Sequence, residues 1–147
     1  MNESQDFFRF QHRALGVLWA WGLGSIAAGV PMLLSHDQRI RQAGVQSIIW
    51  GAIDAALAWF GRRGARDKIS SGANDGSLQA RRFRMILLIN AGLDAGYVAG
   101  GWVLLRGARG REQRVGTGLG IIMQGLFLLI YDSVLAWMVG RRVVRDA

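Results

Sequence analysis

The chain has no cysteine, and this absence removes several kinds of chemistry at once. It excludes disulfide bonds, thiolate metal sites, a cysteine nucleophile and cysteine-ligated iron–sulfur clusters. Proline is almost as scarce: the single proline, Pro31, stands near the end of an apolar run. A proline at that place should kink or finish the helix that contains it.

Apolar residues, in contrast, are abundant and clustered. They make up 51% of the 147 residues, and the mean hydropathy of +0.20 exceeds that of ordinary soluble proteins. A run of about 20 apolar residues is long enough to cross a hydrocarbon core of roughly 30 Å. The sequence therefore predicts an all-α, four-span transmembrane antiparallel helical bundle, with spans at about 14–34, 43–60, 85–105 and 117–139.

The segments outside these runs complete the predicted organisation. Residues 1–13 combine phenylalanines with arginines, which is typical of a short interfacial helix. Residues 61–82 are rich in glycine, serine and arginine, and we predict that they form the longest and most mobile connection. The predicted domains are thus an interfacial N-terminal segment at 1–13, a four-helix membrane domain at 14–142 and a cytoplasmic tail at 143–147.

The net charge of +8 comes from lysines and arginines that lie almost wholly between the apolar runs. Because membrane loops account for this basic balance and no nucleic-acid-binding motif is present, we expect no nucleic-acid partner. Basic residues are about twice as frequent on the side that holds both termini and residues 61–82. The positive-inside rule then predicts a multi-pass protein of the cell (inner) membrane with both termini cytoplasmic.

The second and fourth runs repeat one another. Residues 46–54 and 124–132 both begin with glutamine and end with aspartate. Leu-Ala-Trp begins three residues after each aspartate, and Gly-Arg-Arg comes shortly after that. The first and third runs match more weakly, through a Gly-Leu pair that begins at Gly22 and at Gly92. The pattern indicates two duplicated helical hairpins with the same orientation, related by an axis along the membrane normal.

Polar side chains interrupt the apolar runs, and we predict that they form an intramembrane polar network: Asp54, Asn90, Asp94, Tyr97, Gln124, Tyr131 and Asp132. An ionisable side chain within a span costs about 2.5 to 3.5 kcal/mol, and no lysine or arginine lies inside a run to pair with the aspartates. We therefore expect the aspartates to face the bundle interior, some of them protonated and hydrogen-bonded to the neutral members. The network either fixes helix register or forms a proton path, a cation path or a polar ligand pocket.

A second feature of the third run is its small residues, which share an arc away from the polar face: Ala91, Gly92, Ala95, Gly96, Ala99 and Gly100. Small residues at this spacing let helix backbones approach closely in lipid. We predict a close helix contact along this arc.

Other chemistry is not supported. His12 and His36 are predicted on opposite faces of the membrane, so they cannot jointly ligate a haem or a metal ion, and we interpret both as solvated loop histidines. No serine has a histidine in reach for a nucleophile–base pair. We predict no catalytic residue, no cofactor and no metal site. Trp59, Trp102 and Trp137, near span ends, are interpreted as interfacial anchors.

Four segments resemble a bacterial family of small four-helix integral membrane proteins of unknown function: residues 21–29, 50–54, 90–97 and 124–132. The resemblance implies a fold and no reaction. We expect a non-enzymatic integral membrane protein, a structural or accessory subunit that binds lipid or a larger membrane complex. The alternative is a small proton- or cation-coupled transporter or channel that uses the intramembrane aspartates. The expected partners are membrane lipids and other membrane-protein subunits or a second copy of the chain.

Overall fold

Four long helices make up the computed structural model, which describes residues 3–145, and side chains as far as residue 142. Within those residues the helices follow one another without a strand. The prediction of an all-α protein is confirmed. Each helix is long and apolar enough to cross a membrane. Their bounds are α1 (Glu3–Met32), α2 (Gln38–Ser70), α3 (Gly76–Arg106) and α4 (Glu112–Arg145).

The connection between α2 and α3 is much shorter than the sequence predicts. The prediction that 61–82 forms the longest connection is wrong, because α2 continues to Ser70 and α3 begins at Gly76. Alanine, arginine and lysine favour helix through the first part of this segment, and no proline interrupts it. The helix ends close to Gly72, which adopts a φ of 66° that other residues rarely reach.

Both ends of the described chain continue the long helices. Residues 3–13 continue directly into the rest of α1 as one helix. At the other end α4 extends to Arg145, so that the first part of the predicted tail at 143–147 is helical. Residues 146 and 147 lie outside the described part of the chain.

The helices form two antiparallel hairpins, α1 with α2 and α3 with α4, and like helices of the two hairpins run in the same direction. Where α1 and α3 begin, the Gly76 backbone N–H donates to Ser4 Oγ over 3.1 Å. Where α2 and α4 begin, Gly116 lies directly against the backbone of Arg39, with no room for a side chain between them. Each parallel pair of helices therefore approaches at its N-terminal end.

Glycines set the distance between α1 and α2. A Cβ atom added to Gly22 would lie 2.6 Å from the Gly51 carbonyl oxygen, and one added to Gly44 would lie 2.9 Å from the Gly29 carbonyl oxygen. The second hairpin has a similar approach at Gly101 and Gly118, where the corresponding distance is 2.9 Å. Glycines at these positions let the backbones of the two helices in a hairpin approach closely.

The small residues of α3 behave differently from the prediction. Gly92, Gly96 and Gly100 have no atom of another helix within 4 Å of where a Cβ would stand. The predicted close contact along this arc is wrong within the chain, because α3 turns another face, containing Leu87, Asp94 and Gly101, towards its neighbours. The arc is an outer surface of the bundle.

An apolar cluster covers the end of the bundle where α1 and α3 begin. Phe7 contacts Phe8 and Phe83 edge to face, at ring centroid distances of 5.5 and 6.2 Å. Leu135 and Val139 of α4 are buried in the same cluster. We call this group the phenylalanine cluster, and it seals that end of the helical interior.

Candidate functional site

Three aspartates from three helices meet inside the bundle. Asp54 of α2, Asp94 of α3 and Asp132 of α4 are 3%, 5% and 5% exposed. The Asp94 and Asp132 carboxyl groups lie next to each other, and Asp54 lies close enough to both for electrostatic interaction. We call these three residues the carboxyl cluster.

The carboxyl cluster is only partly satisfied by the protein. Oδ2 of Asp54 and Oδ2 of Asp94 are buried and have no hydrogen-bond partner within the described residues. A buried polar atom without a partner costs roughly 1 to 3 kcal/mol. The two ion pairs that the described chain forms, Arg39–Glu112 and Lys68–Asp75, lie at helix ends and leave the cluster without a counter-charge.

Two neighbouring side chains connect the carboxyl cluster to its surroundings. The Asn90 side chain lies close to the Asp132 carboxyl group, at a position that is itself exposed. The Tyr131 hydroxyl donates to the backbone carbonyl of Ala14 over 2.9 Å and so ties α4 to α1. Leu135, one turn beyond Asp132, already belongs to the phenylalanine cluster. The carboxyl cluster is therefore covered on that side by apolar side chains.

Gln124 forms a separate polar contact about two turns, roughly 12 Å, from Asp132 along α4. It is 1% exposed, its Oε1 accepts from Trp21 Nε1 over 2.9 Å, and its Nε2 donates to Ser25 Oγ over 3.2 Å. The Trp21 ring stacks on Phe127 at 3.7 Å. We call Trp21, Ser25 and Gln124 the glutamine cluster. It joins α4 to α1 in the interior.

The structure thus divides the predicted network. Asp54, Asn90, Asp94 and Asp132 come together with Tyr131 at their edge, whereas Gln124 has other partners. Tyr97 is exposed and contacts the Trp50 ring edge to face at 5.0 Å. Sequence reasoning did not select Trp21 and Ser25 for the network. Their spacing of four, which places both on one face of α1, was the available signal.

An arginine guanidinium lies over the ring of each predicted interfacial tryptophan. The guanidinium carbon lies 4.2 to 5.7 Å from the ring centroid, within the range of a cation–π contact. The pairs, each four residues apart in one helix, are Arg63 over Trp59, Arg106 over Trp102 and Arg141 over Trp137. Two pairs stand at the end of the bundle where α1 begins and one at the opposite end.

Metal binding has no support in the geometry. Within the described residues, no group of three or more histidine and acidic side chains is arranged to hold a metal ion. The carboxyl cluster offers carboxyl groups, and its neighbours Asn90 and Tyr131 add an amide and a phenol. These groups can exchange hydrogen bonds and protons.

Fold and site together define a four-helix protein whose apolar helices enclose carboxyl groups. The chain belongs to the family of unknown function DUF6992, whose sequence pattern matches residues 17–133. That range contains both the carboxyl cluster and the glutamine cluster. No curated protein and no solved structure matches the chain.

Proposed function

We propose that the chain is a multi-pass integral membrane protein of the cell (inner) membrane, with both termini cytoplasmic. It acts as a non-enzymatic structural or accessory subunit that binds lipid or a larger membrane complex. One observation carries the proposal: large apolar side chains face outward while carboxyl groups are buried. Val103 is 70% and Phe60 is 66% exposed, whereas the three aspartates are nearly inaccessible.

The distribution of tryptophan and arginine supports the same proposal. Amphipathic rings and basic side chains are enriched where a membrane protein meets the headgroups. In this chain such pairs stand at both ends of the bundle, and the surface between them is apolar. We also infer that the two hairpins arose by duplication, since their matching helices run in the same direction.

Membrane location and topology can be tested with single cysteines, because the natural chain has no thiol that would compete. His36→Cys lies between α1 and α2, and Ser70→Cys lies at the end of α2; both positions are exposed. We expect the protein to resist carbonate extraction from membranes. A membrane-impermeant maleimide should label His36→Cys in intact cells and Ser70→Cys only after permeabilisation. Labelling of both from the same side would contradict the four-span topology.

The role proposed for the carboxyl cluster is to fix the rotation of α2, α3 and α4 relative to each other. Interhelical hydrogen bonds in membrane proteins contribute about 0.6 kcal/mol each on average. Their stabilisation is small, but each demands that specific faces meet. The glutamine cluster does the same for α1 and α4.

A second function, a proton- or cation-coupled transporter or channel, is favoured by one observation. Among the residues that the structure describes, Oδ2 of Asp54 and Oδ2 of Asp94 have no hydrogen-bond partner, as a site that exchanges protons or a cation would require. Asp94→Asn separates the two functions, since an amide keeps hydrogen-bonding capacity but cannot titrate.

If the cluster is structural, folded Asp94→Asn protein should match the natural chain in proton flux across reconstituted vesicles. Asp37→Asn is the control, because asparagine caps a helix as well as aspartate does. A folded Asp94→Asn variant that loses a flux retained by Asp37→Asn would establish the transport function instead.

A further inference from the structure

A basic cavity of about 500 Å³ lies between α1 and α2, at the end of the bundle where α1 begins. Its position corrects the interpretation of His12, which lies within α1 and is half-buried in the cavity wall. The cavity is lined by His12, Trp19, Trp59, Arg62, Arg63, Arg66 and Asp67.

Two of its arginines are held in place by tryptophan rings. The Arg62 guanidinium of α2 lies 5.5 Å from the Trp19 ring centroid on α1, and Arg63 lies 5.7 Å from the Trp59 ring centroid. Gly16 makes room for Arg62, whose nearest guanidinium nitrogen is 3.4 Å from where a Cβ of residue 16 would stand. The guanidinium groups of Arg62 and Arg63 are thus positioned before any ligand arrives.

These positive charges lack an acidic partner. The ion pairs formed within the described chain involve none of Arg62, Arg63 and Arg66. Asp67 is the one acidic residue among the lining side chains. Burial, followed by the nearby charges of Arg62 and Arg66, lowers the pKa of His12. The positive charges of Arg62 and Arg66, which are the smaller part of this effect, would attract an incoming anion.

The cavity is also graded in polarity along the bundle axis. From Trp59 to Arg66 the rise along α2 is about 10 Å, and the same rise separates Trp19 from His12 on α1. Rings line the inner end, towards the middle of the helices, and guanidinium groups line the outer end. A phospholipid has the same order, with acyl chains and glycerol inward and phosphate outward.

We propose that this cavity binds an anionic glycerophospholipid, with Arg62 and Arg66 contacting the phosphate. The faces of Trp19 and Trp59 contact the glycerol and the first part of the acyl chains. The assignment deepens the proposed function and rests on it, because the ligand is supplied by the membrane in which the protein is proposed to lie.

The second hairpin carries a reduced version of this site. A groove of about 400 Å³ is lined by Trp137, Met138, Arg141 and Arg142. Arg142 lies over the Phe10 ring at 4.4 Å. No second tryptophan lines this groove, so we expect it to bind the same lipid more weakly.

The test uses the full chain in uncharged detergent micelles, titrated with dioleoyl phosphatidylglycerol or dioleoyl phosphatidylcholine and followed by native mass spectrometry. We expect the anionic lipid to bind at least about tenfold more tightly. Arg62→Gln with Arg66→Gln should lower its affinity roughly thirtyfold, from about 1 kcal/mol per basic residue. Arg81→Gln with Arg82→Gln removes the same charge from exposed positions at the same end, and should change the affinity less than about twofold.

Two further arms make the result decisive. Trp19→Leu keeps every charge, and should lower the affinity roughly two- to fivefold through loss of the ring contact. Excess inorganic phosphate should not displace the lipid. Each variant is first shown to unfold at the same temperature as the natural chain, in detergent micelles in which phosphatidylcholine is the only lipid.

Several outcomes would overturn the inference. One such outcome is equal binding of the two lipids, and another is normal phosphatidylglycerol binding by the Arg62 and Arg66 double variant. Either would show that the cavity does not select lipids by headgroup charge. Displacement by inorganic phosphate would assign the cavity to a soluble phosphate. In each of these cases the protein would still resist carbonate extraction. Release of the chain by carbonate would instead contradict the proposed membrane location.

Discussion

The two hairpins share a sequence pattern but are held together differently. In α1–α2 two glycine pairs, Gly22 with Gly51 and Gly29 with Gly44, bring the backbones into contact at two levels seven residues apart. In α3–α4 such mutual approach occurs at Gly101 with Gly118. The comparison teaches that the shared glutamine and aspartate pattern sets the architecture, whereas the small residues set how closely each hairpin closes.

Polar contacts follow the opposite distribution. Gln124 of the second hairpin is buried and bonded to α1, while the matching Gln46 is half-buried and packs against Gly120. Within the described residues, Asp54 of the first hairpin and Asp94 of the second each keep a buried oxygen without a hydrogen-bond partner. The glycine pairs therefore bring the two helices of the first hairpin together, whereas the buried hydrogen bonds of Gln124 join the second hairpin to the first.

The largest difference in stability is expected between the alanine variants of two matching glycines, Gly22 and Gly92. Gly22→Ala places a Cβ 2.6 Å from two backbone atoms of α2, which must move away, so we expect a loss of about 2 to 3 kcal/mol in unfolding free energy. Gly92→Ala meets open space and should leave stability unchanged or raise it by up to about 1 kcal/mol. Unfolding in micelles measures both. Similar losses in the two variants would show that α3 has a close contact along its outer arc.

The next largest difference in unfolding free energy is expected between leucine variants of the matching aspartates. Asp132→Leu removes the side chain that interacts with both Asp94 and Asn90, and should cost about 2 kcal/mol because the buried Asp94 carboxyl group then faces an apolar side chain. Asp54→Leu removes a group that is already incompletely satisfied, and should cost less. The same unfolding assay orders the two, and a greater loss for Asp54→Leu would show that Asp54 is the better stabilised of the matching aspartates.

Replacing the matching glutamines should have a smaller effect. Gln124→Leu leaves Trp21 Nε1 without its acceptor, and we expect a loss of about 1 kcal/mol. Gln46→Leu should be nearly neutral. Near-ultraviolet circular dichroism should change only for Gln124→Leu, because the stacking of Trp21 on Phe127 depends on that contact. An unchanged spectrum would mean that the glutamine does not orient the ring.

The smallest effect concerns the turns that close the hairpins. The α1–α2 turn has a side-chain cap, in which Asp37 Oδ1 accepts from the Arg39 N–H over 2.7 Å. The α3–α4 turn instead places Arg109 at a φ of 44°. Arg109→Gly should raise the unfolding free energy by about 0.5 to 1 kcal/mol, since glycine adopts this region without strain. Arg111→Gly, which removes the same charge nearby, should give no gain; an equal gain would point to charge as the cause.

Much of the architecture could be predicted from the sequence. Apolar runs of spanning length and short polar links fix four helices and their antiparallel order, and the spacing of Asp94 from Asn90 places both on one face of α3. An unpaired aspartate that faces lipid is energetically costly, so the three aspartates could be expected to face the bundle interior.

The remaining features depend on helix rotation, which spacing alone does not determine. The arc of Gly92 and Gly96 has a pattern that suits an inner or an outer contact equally well, and the choice follows from which neighbour α3 meets. The pairing of Gln124 with Trp21 depends on how α1 and α4 turn towards each other. For His12, the sequence predicted a solvated side chain, but the packing of α1 against α2 leaves it half-buried in a cavity wall.

The tryptophan–arginine pairs at opposite ends have a consequence for the bilayer itself. Gly118 lies against Gly101, next to Trp102, and Trp137 marks the other end of α4. The rise from residue 118 to residue 137 is roughly 28 Å at 1.5 Å per residue. This is close to the hydrocarbon thickness of about 30 Å. In the proposed setting a thicker membrane would have to thin around the protein, and a thinner one would make its helices tilt.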